Sequence, residues 1–324
     1  MKSAMQLDQK SIRKGKPVKR RVDKNRIIKN IVKYKQLYLM MLPGILILFI
    51  FKYVPMFGIV VAFKNYLPAK GFLASEWVGL EHFKHLFLNS PEFINVFKNT
   101  LIISFYKLVI GFPIPIMLAI LINELRYIGH KRTIQTLIYL PHFLSWVIFG
   151  GIVYNVLALS GPVNTLLQSF GFEPIMFMTK TNMFRGIIVG SSIFKDSGWG
   201  TVVYLAAIVG VNPTLYEAAV VDGANRFQRI WHVTLPAIKG TIIVLLILRI
   251  GRILDVGFQQ ILVLYNPIVY NVADVFGTFV YRVGINQGNY SFATAAGLFK
   301  GVVGFILVRL ANKLSKKMGE AGVW

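Results

Sequence analysis

The sequence predicts an all-α polytopic membrane protein with about six transmembrane helices. Hydrophobic residues make up 55% of the 324 residues and charged residues only 15%, and the mean hydropathy of +0.58 lies far above that of a soluble domain. Apolar runs recur between residues 37 and 312, and each is about as long as a helix that crosses a bilayer. Helices satisfy their own backbone hydrogen bonds in lipid, and runs this long and apolar favour them over barrel strands.

Six apolar segments are predicted to be transmembrane spans. They cover residues 38–62, 100–123, 137–159, 186–210, 241–265 and 291–312. Several contain Gly, Pro or a charge, such as Pro43, Lys52 and Pro113, which suits helices that pack against other helices. The predicted division is a basic cytoplasmic N-terminal segment (1–36), one transmembrane domain (37–317) and a cytoplasmic C-terminal tail (318–324).

The distribution of positive charge predicts that both termini face the cytoplasm. With that orientation the cytoplasmic pieces carry 22 Lys or Arg residues and the external pieces carry six, as the positive-inside rule requires. Residues 1–36 alone hold 13 of them. Three interpretations of this segment are open: an RNA-binding arm, a clamp for anionic lipids, or a solvated tail that fixes topology. The basic part is too long for a secretory signal, and no small-residue cleavage site follows it.

The first external piece, residues 63–99, is long and contains aromatic residues such as Trp77 and Phe83. Two interpretations are open. These rings form an aromatic belt at the membrane interface, or they belong to a docking cap for an external partner.

A polar stretch between the fourth and fifth spans, EAAVVDGANRFQRIWHVTLP at residues 217–236, is predicted to form a cytoplasmic helix pair. Asn212 followed by Pro213 is typical of an N-cap and the first helical position. Gly223 is suited to the left-handed residue that ends a helix. Ala218 and Ala219 keep this first helix slim, so a partner groove can approach its backbone closely.

The second arm of the predicted pair is a short helix over residues 227–234, which Leu235 and Pro236 are expected to end. The expected product is a right-angled pair. Its charged residues are Glu217 and Asp222 on the first arm and Arg226 and Arg229 on the second. Amphipathicity alone favours another interpretation, a loop that lies on anionic lipid headgroups with its two arginines outward.

The spacing of this stretch resembles the EAA loop of permease subunits of binding-protein-dependent ABC importers. The loop agrees with that motif at Glu217, Ala218, Ala219, Gly223, Leu235 and Pro236. The one departure is Val233, where Ile is usual. The segments LYLMMLPGILILFIFKYVPMFGIVVAFKNY, WVGLEHF and IQTLIYLPHFLSWV extend the resemblance over about residues 35–317. They are similar to the carbohydrate-uptake branch, and within it to permeases for complex oligosaccharides and polysaccharide fragments, such as alginate-type importers.

The resemblance implies a permease subunit of an ATP-driven importer in the bacterial cytoplasmic membrane, which translocates oligosaccharides delivered by an extracytoplasmic solute-binding protein. It implies an ATP-binding-cassette ATPase dimer as a partner, and a second homologous permease that makes a heterodimer. The residues predicted to couple to the ATPase are the motif positions and two neighbouring charges, Asp222 and Arg226. The motif positions are Glu217, Ala218, Ala219, Gly223, Leu235 and Pro236.

The missing motifs predict a transport subunit without enzyme chemistry of its own. A G-x-x-x-x-G-K-[ST] loop is absent from the sequence, so ATP and Mg are expected on a separate partner subunit. H-E-x-x-H and G-x-S-x-G are absent as well, and the chain has no cysteine, which excludes disulfides and thiolate metal sites. We expect no catalytic residue, no metal site and no nucleic-acid partner.

Polar residues within the fifth span are candidates for the substrate pathway, because ionisable groups inside a membrane more often line a cavity than face lipid. Arg249, Arg252, Asp255 and Gln259 recur at helical spacing and would share one face of a continuous helix. The alternative is structural: Arg252 pairs with Asp255, or Arg249 snorkels to the membrane surface. Further sugar-contact candidates, chosen by composition, are Trp146, Asn155, Trp199 and Tyr204.

The surplus of arginine over carboxylate in the fifth span motivates the hypothesis that the substrate is acidic, such as a uronate-containing polysaccharide fragment. A second hypothesis is a self-contained secondary transporter or channel, driven by an ion gradient through Lys195, Asp196 and Asp255. It leaves the cytoplasmic helix pair without a role, and the six spans show no inverted repeat.

Overall fold

The computed structural model describes residues 33–317. The predictions for most of the basic N-terminal segment and for the C-terminal tail lie outside the described residues. The chain divides into two compact units, Met1–Gly58 and Ile59–Trp324, which are taken separately.

In the first unit the described chain is one apolar helix. It begins as α1 (Lys35–Leu48), continues through a π-helical turn (Phe49–Tyr53) and runs into a 3-10 stretch (Val54–Phe63). Pro55 follows the π turn and has no N–H to donate, so a locally wider helix leaves fewer carbonyls without a partner. The span Lys35–Phe63 agrees with the predicted first span.

The second unit is almost entirely helical. Its α-helices are α2 (Gly71–Ala74), α3 (Glu81–Leu88), α4 (Pro91–Val109), α5 (Pro113–Asn123), α6 (Ile128–Phe143), α7 (Trp146–Val156), α8 (Pro162–Ser169), α9 (Thr181–Val209), α10 (Pro213–Val221), α11 (Arg226–Arg229), α12 (Leu235–Gly251), α13 (Phe258–Leu264), α14 (Tyr270–Ala273), α15 (Phe276–Val280) and α16 (Tyr290–Lys317). Two π turns (Ile230–Thr234 and Tyr281–Asn286) and a 3-10 turn (Pro267–Val269) join some of them. Two antiparallel strands of two residues each, β1 (Lys64–Asn65) and β2 (Glu76–Trp77), are the small departure from an all-α fold.

The number of spans agrees with the prediction only when bent helices are counted. Four helices of the described chain are long and apolar enough to cross a membrane, and up to six if each of two bent pairs is one span. The four are Lys35–Phe63, Pro91–Asn123, Arg226–Gly251 and Tyr290–Lys313. The bent pairs are α6 with α7, at 104°, and α9 with α10, at 71°.

The third predicted span, residues 137–159, is therefore not one helix. Chain direction changes at Leu144 and Ser145, both extended, and the Ser145 hydroxyl accepts a hydrogen bond from the Ile148 N–H at 3.2 Å to start α7. The end of α6 is held from another helix: the buried Lys195 ammonium of α9 donates to the carbonyls of Pro141 (3.1 Å) and His142 (2.7 Å). The Pro141 carbonyl also accepts from the Leu144 N–H at 3.3 Å, so Lys195 adds a second donor at a helix end, where backbone carbonyls lack helical partners.

The fifth predicted span, residues 241–265, is also wrong in its bounds. The helix begins at Arg226 and ends at Gly251. The backbone angles of Arg252 (φ −110°, ψ 18°) are no longer helical. The chain then runs irregularly to Gly257, whose φ of 91° favours glycine, before α13 begins. We refer to residues 252–257 as the fifth-span break.

Close backbone contacts join α5 and α6 to α9. A Cβ placed on Gly198 would collide with the backbone carbonyl of Ile138 in α6, and one on Gly200 would lie 3.0 Å from the Pro115 ring of α5. Glycine lets the helices approach to this distance.

Aromatic side chains in edge-to-face and tilted contacts make the core near α4, α15 and α16. Phe93 is buried and lies 5.7 Å from Phe276, 6.1 Å from Phe279 and 5.7 Å from Phe299, measured between ring centroids. In the predicted external piece, Phe63 stacks on Trp77 at 5.8 Å. These rings pack on one another, which leaves both interpretations of that piece open.

Candidate functional site

The first arm of the polar stretch forms where its capping residues predict. The Asn212 side chain accepts a hydrogen bond from the Thr214 N–H at 3.1 Å, and Pro213 occupies the first turn of α10. At the other end Gly223 has φ +79°. Its N–H donates to the carbonyl of Val220 (3.0 Å), and the Ala224 N–H donates to that of Ala219 (2.8 Å). This is the Schellman pattern, so the predicted stop at Gly223 is confirmed.

The second arm begins with a capping box. The Asn225 side chain accepts from the Gln228 N–H at 3.0 Å, and the Gln228 side chain accepts from the Asn225 N–H at 2.7 Å. Helix α11 follows and then widens into the π turn Ile230–Thr234.

The expected end of this arm at Leu235 and Pro236 is wrong, because the helix continues without interruption to Gly251. Pro236 lies in the first turn of α12. The π turn ahead of it, in which the Leu235 N–H bonds the Ile230 carbonyl, accommodates the N–H that proline lacks. The second arm is thus continuous with the fifth span.

The two arms are joined by one hydrogen bond, between the hydroxyls of Tyr216 and Thr234 at 3.1 Å. Together they expose an unusual amount of apolar surface: Val221 is 87% exposed, Phe227 84% and Trp231 69%. The structure places the predicted coupling residues on or beside this surface, with Glu217, Ala218, Asp222, Gly223, Arg226 and Pro236 exposed and Ala219 and Leu235 half-buried. The right angle between the arms stays a prediction.

Most of the predicted pathway residues meet at two adjoining cavities. The first, of about 380 Å³, is lined by Arg249, Arg252, Asp255 and Trp146. The second, of about 240 Å³, is lined by Trp199 and Tyr204. The residues common to both linings are Lys107, Ser192, Asp196 and Arg249. The arginines, the aspartate and three of the four composition-based candidates therefore share one region.

Two predicted pathway residues lie elsewhere. Gln259 is exposed and lines neither cavity, whereas its neighbour Gln260 lines the larger one. The cause is the fifth-span break, since helical spacing counted from Arg249 no longer holds beyond Gly251. Asn155 is exposed near the end of α7 and also lies outside both linings.

The charges in these cavities are paired unequally. Asp255 binds the Lys300 ammonium of α16, which contradicts the expected pairing with Arg252. The Asp196 carboxylate lies 3.2 Å from His142 Nδ1. The His142 ring in turn stacks on Trp199, with 5.0 Å between the ring centroids. Within residues 33–317 neither Arg249 nor Arg252 has a hydrogen-bond or ion-pair partner for its guanidinium.

Sequence reasoning missed Lys107, Gln260 and Ser104, which line the larger cavity from α4 and α13. A signal for one of them was present, because Lys107 is a charged residue inside the predicted span 100–123. Gln260 and Ser104 gave none, since single polar residues in spans usually serve packing.

The sequence matches the family described as "Binding-protein-dependent transport system inner membrane component" over residues 111–320. Among individual proteins, it is 48% identical over 302 residues to the polygalacturonan/rhamnogalacturonan transport system permease protein YteP of Bacillus subtilis (strain 168), covering 93% of this chain and 94% of YteP. It is 49% identical over 291 residues to the protein LplB of the same strain, covering 90% of this chain and 91% of LplB.

A crystal structure of a bacterial alginate ABC transporter, in complex with an alginate pentasaccharide-bound periplasmic protein, contains a similar chain. The two share 45% identity and a TM-score of 0.85, over 92% of this chain and all (100%) of that one. The fold, the family match and the long alignments agree. The chain belongs to the family of binding-protein-dependent transport system inner membrane components and is a multi-pass permease of the cytoplasmic membrane.

Proposed function

We propose that this chain is the transmembrane permease subunit of an ATP-driven importer for oligosaccharides. The observation that carries the proposal is the exposed apolar surface on the helix pair of residues 212–236. Its most exposed large side chains are Val221, Phe227 and Trp231. Such a patch on a short polar loop marks a protein-binding surface. A separate ATPase dimer docks there and hydrolyses ATP, a second homologous permease completes the pathway, and an extracytoplasmic binding protein delivers the substrate.

The geometry of the loop supports a coupling role. The second arm is continuous with α12. The first arm, α10, follows α9 in the chain after a short connection. A displacement of the docked loop therefore acts on two of the helices that border the cavities, α9 and α12. ATP can drive transport only if the ATPase with ATP bound has a different affinity for the two states of the permease. The helix pair of residues 212–236 is the part of the permease through which we expect that difference to act.

We further propose that the substrate is acidic. Arg249 and Arg252 face the larger cavity with unpaired guanidiniums, whereas Asp255 is paired with Lys300 and Asp196 with His142. The lining is therefore electropositive, and guanidiniums bind carboxylates in a two-pronged geometry. Similar proteins named for polygalacturonan and alginate support the same substrate class. Trp146 and Trp199 offer apolar faces for pyranose rings.

The same contacts speak against an ion-driven transporter. Lys195, one of the residues on which that hypothesis depends, has its ammonium engaged by the carbonyls of Pro141 and His142. Asp196 and Asp255 each have a basic neighbour. Each of these groups is already engaged in a contact with another part of the chain.

Affinity purification of the tagged chain from its native host tests the proposal. We expect an ATPase and a second permease to co-purify, and the complex in vesicles to take up a uronate oligosaccharide only with ATP inside and a loaded binding protein outside. A variant that exchanges Phe227 and Trp231 for serine should lose the ATPase while retaining the second permease. A lone chain that transports without ATP would overturn the proposal.

A further inference from the structure

Lys107 is a buried basic residue that lies outside the helix pair of residues 212–236. It lies on α4 and is 7% exposed. Its ammonium donates to the carbonyl of Val256 at 2.8 Å and to Oε1 of Gln260 at 2.5 Å. An ammonium removed from water is tolerated only when its N–H groups are bound. Val256 lies in the fifth-span break, and Gln260 lies in α13, the helix that follows it.

Gln260 extends the contact to a third helix. It is fully buried, and its amide donates to the carbonyl of Ile188 (2.6 Å) and to the hydroxyl of Ser191 (2.8 Å) on α9. Lys107 and Gln260 together therefore connect α4, α13 and α9 through side chains whose polar atoms are all bound. A network of this kind specifies one arrangement of the helices.

The fifth-span break is held from α4 in addition to its own turn hydrogen bonds, such as that from the Asp255 N–H to the Arg252 carbonyl at 2.8 Å. On α4, Ser104 lies one turn before Lys107 and donates to the Ile253 carbonyl. The left-handed Gly257 leaves room for the contact, since a Cβ there would lie 3.4 Å from Lys107 Nζ and 3.3 Å from Gln260 Oε1. Two carbonyls of the break are thus fixed from α4, on either side of Asp255.

The two cavity arginines lie at the start of the break. Arg249 lies in the last turn of α12 and Arg252 is its C-cap, and Lys107 lines both cavities beside Arg249. We propose that Lys107 is a positioning residue for transport, which holds the Val256 carbonyl and Gln260 and so aims Arg249 and Arg252 into the cavity. The inference rests on the proposed function, because its readout is uptake of an acidic oligosaccharide.

The test is Lys107→Met in the complete importer, reconstituted with its partners. We expect the saturating uptake rate to fall about tenfold or more, because two buried acceptors lose their donor and the arginines lose their fixed position. The concentration of loaded binding protein that gives half-maximal uptake should stay the same, because docking takes place outside the membrane. A merely structural defect would instead lower the amount of assembled complex, with normal turnover per complex.

Lys98→Met is the matched control, because Lys98 lies on the same helix and is exposed. It should match the wild type in both quantities. The double variant Lys107→Met, Gln260→Leu should be no slower than Lys107→Met alone within about twofold, because residues that act as a unit are not additive. If Lys107→Met fails to assemble, Gly257→Ala keeps the lysine but strains the break, and it should show the same drop in rate at unchanged half-saturation.

Wild-type turnover in Lys107→Met or, where that variant does not assemble, in Gly257→Ala would overturn the inference and leave the proposed function standing. Fully additive losses in the double variant would overturn it too. A wild-type complex that does not transport with ATP and a loaded binding protein would instead overturn the proposed function.

Discussion

At the scale of single residues, Arg249 and Arg252 give the sharpest prediction. Replacing both with Gln keeps polar side chains at the cavity wall but removes two charges. Because hydrogen bonds to charged groups are stronger than neutral ones by roughly twofold, we expect uptake of a uronate oligosaccharide to fall about tenfold or more. Uptake of a neutral oligosaccharide of the same length should change by less than about twofold. Competition between the two sugars in one uptake assay measures this.

The control for the arginine pair is Arg126→Gln, an exposed arginine in the connection between α5 and α6 that lines neither cavity. It should leave both sugars unaffected. Equal losses for the neutral and the acidic sugar in the double variant would contradict an acidic substrate and indicate a packing role for the arginines.

The sequence predicts residue types in the cavity better than residue numbers. Arg249, Arg252 and Asp255 were identified because charge inside a span is costly and therefore informative. Helical periodicity counted from Arg249 points to Gln259 and not to Gln260, because it assumes a helix that continues past Gly251, where the helix ends. The pairing of Asp255 with Lys300 joins residues far apart in sequence, and local spacing cannot predict such a contact.

At the scale of elements, the π turn Ile230–Thr234 depends on Pro236. In Pro236→Ala the residue gains an N–H that the His232 carbonyl can accept, so an ordinary α-helix becomes available there. Loss of the extra residue in the turn would rotate the second arm by about 100° relative to α12. We expect Phe227 and Trp231 to be displaced from the surface that they share with Val221. ATP-driven uptake should fall at least about fivefold, with an unchanged unfolding midpoint of the purified chain.

Pro162→Ala provides a matched control, because Pro162 is likewise exposed in the first turn of a helix, α8. It should leave uptake unchanged. Normal uptake by Pro236→Ala would show that the π turn has no role in coupling.

The elements that the sequence predicts well are those with local signals. The first arm follows from Asn212, Pro213 and Gly223, and each forms the expected cap. The 104° bend between α6 and α7 was missed because its cause is remote: Lys195 on α9 binds the last carbonyls of α6. The continuation of the second arm was missed for another reason. Proline is read as a helix end, but it is tolerated in a first turn or after a π turn.

At the scale of the whole molecule, orientation in the membrane stays a prediction from charge. The chain has no cysteine, so single introduced cysteines report sidedness without background. With both termini inside, a membrane-impermeable thiol reagent added to intact cells should label Glu173→Cys, in the connection between α8 and α9. It should not label Thr214→Cys, on the first arm. Both positions are exposed.

Permeabilised cells serve as the control for this labelling, because both cysteines should then react. The opposite pattern in intact cells would place the helix pair of residues 212–236 outside, where an ATPase cannot reach it. That result would contradict the orientation and the coupling role together.

The contact of Gly198 with the Ile138 backbone limits how this molecule can change shape. Two helices that touch main chain to main chain have no side chains between them to reorient, so α6 and α9 are expected to turn together as one lever. The same lever takes in α5 through Gly200 and Pro115. A displacement applied at α10 is therefore expected to move α5, α6 and α9 together.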